Sequence, residues 1–116
     1  MRTLLLFLVT FSLSAFALET EIKSTTDHLL ENDAVMAVRH TYPPGTESGM
    51  HGHDYPYRVV YVLEGGTAKI VPADSSKPTR TITFKEGMTL YVPAATHNVI
   101  NIGDTQITLL EIELKP

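Results

Sequence analysis

Tyr57-Arg58-Val59-Val60-Tyr61-Val62-Leu63-Glu64-Gly65-Gly66-Thr67-Ala68-Lys69-Ile70-Val71 is the stretch on which the reading of the fold turns. Two apolar, β-branched runs stand on either side of Glu64-Gly65-Gly66, each too short for a stable helix and rich in residues that suit a pleated surface. So short a break predicts a hairpin, with residues 57–63 and 67–71 as its arms. The same rhythm extends in both directions. Upstream, 35–42 reads as a strand stopped by Pro43-Pro44-Gly45, because proline has no N–H for a ladder and glycine permits the turn. Downstream, 79–84, 88–92, 97–102 and 106–114 are apolar or alternating segments separated by a polar loop at 73–78, by Glu86-Gly87, by 93–96 and by Gly103-Asp104.

That makes about seven strands, with room for one or two more before Asp33. Helix has little support: only 25–32 carries a weak helical pattern, one turn at most. So many short strands predict an all-β barrel or two-sheet structure, which protects their edges.

The first residues follow a different logic. Arg2 supplies a positive start, residues 4–16 are apolar, and Ala15-Phe16-Ala17 is a small-x-small cleavage site, so 1–17 is expected to be a cleavable signal peptide. An apolar run of that length falls short of the roughly 20 residues needed to span a bilayer. The expected mature chain, 18–116, is one domain, periplasmic or secreted, with no further membrane segment. Losing Arg2 leaves 8 of the 9 basic residues against 13 acidic ones, a formal charge of −5. With no basic run, neither nucleic acid nor an anionic membrane surface is an expected partner. The absence of cysteine excludes disulfides, thiolate ligands and a Cys nucleophile.

Chemistry concentrates in the histidines. His51 and His53 are two apart, so on extended chain both imidazoles point the same way. His97 follows the Pro93 turn, at the head of a strand in which Val99 and Asn101 share its face. Three neutral imidazoles suit Zn, Fe, Ni, Mn or Cu, and three protein ligands with one open position describe a catalytic metal site better than a sealed structural one. The alternative is a barrel lined with polar residues that hold no metal. Glu47 is a candidate acid or base at the rim, or a solvated loop carboxylate. His40 is a candidate for bracing a ligand imidazole, or a self-contained histidine. Asn101 either braces the site or satisfies nearby backbone, and Asp54 is a turn residue. The tyrosines at 42, 55, 57, 61 and 91 offer stacking surfaces and hydroxyls, most of them as ordinary barrel residues.

Two stretches resemble the cupin family. Its first motif runs glycine, five residues, His-x-His, three or four residues, glutamate, six residues, glycine; Gly45, His51, His53 and Gly65 match it. Its second runs glycine, five residues, Pro-x-Gly, two residues, histidine, three residues, asparagine; Gly87, Pro93, His97 and Asn101 match, with Ala95 for the inner glycine and one residue fewer before the histidine. The resemblance covers residues 35–114 and implies a single-domain jelly-roll barrel with both motifs facing inward. It also implies a divalent transition metal (Fe, Mn, Ni or Zn) on His51, His53 and His97, and a homodimer, since many cupins pair through their sheets.

The departure falls at Arg58, where the family has its metal-binding glutamate. Arginine offers no lone pair to a cation. The expectation is therefore that Arg58 faces outward, leaving Tyr57, Val59, Tyr61 and Leu63 as the inward stripe and Tyr57 as a second candidate proton-transfer group beside Glu47. The ending Glu111-Ile112-Glu113-Leu114-Lys115 looks like a subgroup of small cupins that lack the glutamate. Two function classes follow: a metal-dependent enzyme (lyase, isomerase or dioxygenase) acting on a small polar molecule, or a small-molecule binding or sensing module without turnover, with or without metal. An inward Arg58 favours the second, because its fork can hold a carboxylate or phosphate.

Overall fold

Eight strands, and no helix among the described residues, form between Thr25 and Leu114: β1 (Thr25–Glu31), β2 (Val35–Tyr42), β3 (Tyr57–Glu64), β4 (Gly66–Pro72), β5 (Arg80–Phe84), β6 (Thr89–Pro93), β7 (His97–Asn101) and β8 (Ile107–Leu114). The structure, a computed structural model, describes residues 14, 15 and 17 to 116; the signal peptide expected over 1–17 lies almost wholly outside them. The strands make two antiparallel sheets, five-stranded in the order β1-β2-β8-β3-β6 and three-stranded in the order β5-β4-β7. Their facing surfaces enclose the core, giving the expected all-β jelly roll. Val62, Ala68 and Ile107 are wholly buried there, among Tyr42, Val60, Phe84, Val99 and Leu109, each large aliphatic or aromatic side chain contributing on the order of 1.5–3 kcal/mol by its burial.

Three expectations need correction. Residues 57–71 do not form a hairpin: β3 pairs with β6 and β8, while β4 pairs with β5 and β7. The chain instead crosses from one sheet to the other at Gly65-Gly66, so the glycines serve closeness and not a two-residue turn. A methyl group on Gly65 would collide with the Phe84 carbonyl oxygen, and one on Gly66 would lie 2.7 Å from Ile107 Cγ1. Second, the weak helical pattern over 25–32 forms no helical turn: Thr25–Glu31 is strand β1, within the room left for a further strand before Asp33, held on the edge of β2 by Thr26 Oγ1 against His40 Nδ1 (2.9 Å) and by Asp27 accepting from Arg39 (2.8 Å). Cross-strand side-chain pairing outweighs a weak local preference.

Third, β3 faces the other way. Arg58, Val60 and Val62 point inward and are buried, whereas Tyr57, Tyr61 and Leu63 are exposed on the outer face. On the neighbouring β8, Glu111 and Glu113 point inward and Leu110, Ile112 and Leu114 lie on the outer side. An inward arginine is tolerated here because a carboxylate stands next to it.

One further pairing positions the site. Between β2 and β3, the segment that begins at Gly45, whose φ of 78° suits a residue without a Cβ, runs along the free edge of β7. Ser48 N–H donates to the Val99 carbonyl, and His51 and His97 exchange backbone hydrogen bonds of 2.9 Å in both directions.

Candidate metal centre

That backbone exchange brings His51 beside His97, and the extended step from His51 to His53 adds the third imidazole. The ring centroids of the three histidines are 4.9, 5.1 and 5.4 Å apart, with the rings edge to face. One nitrogen from each lies within 4.8 Å of the other two. His53 Nε2 and His97 Nε2 are 3.4 Å apart, about the separation expected of two imidazole nitrogens sharing a tetrahedral ion at about 2.0–2.1 Å.

The outer nitrogens of two of the rings are engaged. His51 Nδ1 lies 3.0 Å from the Gly49 carbonyl. His53 Nδ1 lies 2.5 Å from Glu113 Oε1 and 3.2 Å from Glu111 Oε1. A carbonyl or carboxylate accepts the Nδ1 proton, which leaves the Nε2 lone pair available to a cation. Burial, then the neighbouring His51, Arg58 and His53 charges, bring the His97 imidazole down to about 4 against a smaller opposing effect of Glu111, so at neutral pH this ring is unprotonated and has a lone pair to offer.

Behind the triad lies a cluster that alternation alone did not reveal. Glu111 Oε1 lies 2.9 Å from Arg58 Nε and Glu111 Oε2 lies 3.3 Å from His40 Nε2. Burial would raise the Glu111 carboxyl, but the His40 hydrogen bond and the Arg58, His40 and His53 charges outweigh it and hold the group at about 2. Arg58 also donates from Nη1 to the Pro93 carbonyl at 2.8 Å. Glu113 Oε2 is buried with no donor among the described residues, and the Arg58–Glu111 contact lacks hydrogen-bond alignment. Such orphaned carboxylate oxygens beside three imidazoles fit a site that takes up a cation.

The remaining candidates separate clearly. His40 does reach the site, one carboxylate removed from His53. Glu47 is exposed and its carboxylate accepts from Asn98 Nδ2, away from the imidazoles. Tyr57, 44% exposed, stacks on Tyr91 outside the sheet at 5.0 Å; it does not face the interior, contrary to expectation. Asn101 satisfies backbone, donating to the Tyr42 and Thr105 carbonyls, and Asp54 sits in an exposed bend.

Two of the three histidines, His51 and His97, open on a cavity of about 250 Å3 inside the barrel, lined by Tyr42, Arg58, Val60, Phe84 and Leu109 among others. Arg80 stands at its mouth, where it joins a depression of about 510 Å3 that also carries Lys77 and Asp74. Burial, with Glu111 adding to it and Arg58 opposing, raises the Tyr42 phenol, which therefore remains a protonated donor inside the cavity.

Comparison with known proteins agrees with this geometry. Residues 38–113 match the family model described as "Cupin domain". A cupin domain from Bordetella pertussis Tohama I superposes with a TM-score of 0.73 at 26% identity, covering 84% of this chain and 98% of that one. An RmlC-like cupin family protein with a double-stranded β-helix fold from Methanocaldococcus jannaschii superposes with a TM-score of 0.62 at 18% identity, covering 86% of each chain. No curated protein matches the chain.

Proposed function

Because this chain belongs to the cupin domain family, we propose that it is an exported metal-binding cupin in which His51, His53 and His97 hold one divalent transition metal. Fe, Mn, Ni and Zn all accept such a donor set. Held there, such an ion would supply Lewis-acid or redox chemistry to a small polar molecule entering the barrel beside His51 and His97. The observation that carries this reading is the convergence of three imidazole nitrogens from two separate segments, within 4.8 Å of one another. The test is metal content and affinity of the tag-free chain from Leu18 onward, beside His51→Ala and His97→Ala. About one transition metal per chain, lost in both variants, supports the site; no uptake under any loading condition refutes it.

A second reading, capture of a small ligand without turnover, is favoured by a specific observation: Arg58 is inward, 6% exposed, and lines the cavity. Turnover of candidate substrates by the metal-loaded protein separates the two. The homodimer expected from the family resemblance also finds support. Tyr57, Tyr61, Leu63 and Tyr91 are all exposed on the outer face of the five-stranded sheet, beside Leu110, Ile112 and Leu114, and an apolar patch of that kind is one that association covers.

A further inference from the structure

The family's metal ligand is a carboxylate where this chain has Arg58, and that exchange reverses the charge the cavity presents. Of the fixed charges on the cavity wall, Arg58 and Arg80 are positive and Glu111 is negative, while Glu113 stands behind His53 and outside that wall. That wall already favours an anion. A divalent ion on the histidines would add to this positive balance, beside Arg58 on a wall that includes His51 and His97.

We propose that the barrel interior binds a small monocarboxylate with an apolar body, more tightly when metal is present, and that Arg58 selects for the carboxylate. The inference rests on the metal reading above. Arg58 has donors to give: Nη1 serves Pro93 with one of its protons, Nε touches Glu111 out of alignment, and Nη2 has no acceptor among the described residues. A guanidinium edge matches a planar carboxylate. Besides Glu111, Tyr42 and Arg80, the wall is largely apolar, with Val60, Phe84, Leu90, Val92 and Leu109 among its residues, and suits an aliphatic or aromatic body. About 250 Å3 is room for roughly eight waters at about 30 Å3 each, hence a molecule of benzoate or short branched-acid size. Arg80 and Lys77 at the mouth draw anions in.

The experiment measures binding of benzoate, benzamide and inorganic phosphate to the zinc-loaded and the chelator-stripped full mature chain. The 15N resonance of Arg58 Nε is followed in the wild type, and Arg58→Gln is assayed in parallel with its metal content. Expected are saturable 1:1 benzoate binding to the zinc form at least about tenfold tighter than benzamide, movement of the Arg58 resonance, and weaker binding to the stripped form. In Arg58→Gln the zinc stays and the preference goes. Zinc-loaded protein that treats benzoate and benzamide alike, or binds benzoate without moving Arg58, overturns the inference while leaving the metal reading intact. Should Arg58→Gln fail to fold, the wild-type resonance decides. Protein that takes up no zinc overturns the metal reading first, and this inference with it.

Discussion

Glu113→Gln isolates the bond that holds His53 in place. The Glu113 carboxylate accepts from His53 Nδ1 at 2.5 Å, between side chains 5% and 6% exposed, so water screens neither partner. Glutamine keeps the shape and an acceptor oxygen but removes the charge that makes the Nε2 lone pair more basic and helps to balance an incoming cation. Loss of such a support weakens metal binding by about 10- to 100-fold, or about 1.4–2.8 kcal/mol. The upper end is expected because the contact is short and dry. Zinc affinity is read by competition with a chelating indicator, with Glu47→Gln as the control, since that carboxylate is exposed and bonded to Asn98. The reasoning is refuted if Glu113→Gln binds zinc within about twofold of wild type, or if Glu47→Gln is weakened as much.

Other consequences are equally direct. Gly65→Ala forces a methyl into the backbone at Phe84, which cannot swing aside, so the domain should lose about 1–3 kcal/mol, visible as a fall in Tm of at least about 4 °C. Gly52→Ala, which meets only the Thr96 hydroxyl at 3.2 Å, should unfold near the wild-type temperature. Tyr61→Lys, on the outer sheet face, is expected to shift sedimentation from dimer to monomer while zinc content stays unchanged; a wild-type protein that sediments as a monomer refutes the face as an interface. Hydrogen bonds from Thr108 and then Gln106 hold the Glu64 carboxyl below its usual value, so the folded state binds fewer protons than the unfolded one. The wild type's advantage over Glu64→Gln in urea midpoint is therefore full above about pH 4.5 and shrinks as the pH falls through the lower folded value.

Much of this was legible in the residues. Short β-branched runs between glycines and prolines gave the all-β architecture, and His-x-His with the Pro93–His97 spacing pointed to three imidazoles that do converge. What failed was facing. Alternation says which residues share a side, not which side is inside, and the usual guide is that apolar residues go in. Here β3 and β8 break that guide together: tyrosines and leucines lie outside, while Arg58, Glu111 and Glu113 lie inside, each tolerable only because the others and two histidines are there. The signal available was the i, i+2 spacing of Glu111 and Glu113, opposite an arginine that had no good place in the inherited motif. The β3–β4 crossover failed for a related reason, since the same two glycines that make a tight turn also let two sheets approach.

The segment from Gly45 to His51 does a second job besides carrying imidazoles. By pairing with β7 it closes an edge that would otherwise offer a row of free amides and carbonyls to any passing strand. Metal capture and resistance to aggregation are thus tied to the same few hydrogen bonds. A substitution that loosens this segment would be expected to harm both at once, and a bound ion, by pinning His51 to His97, would guard the chain against self-association as well as equip it for chemistry.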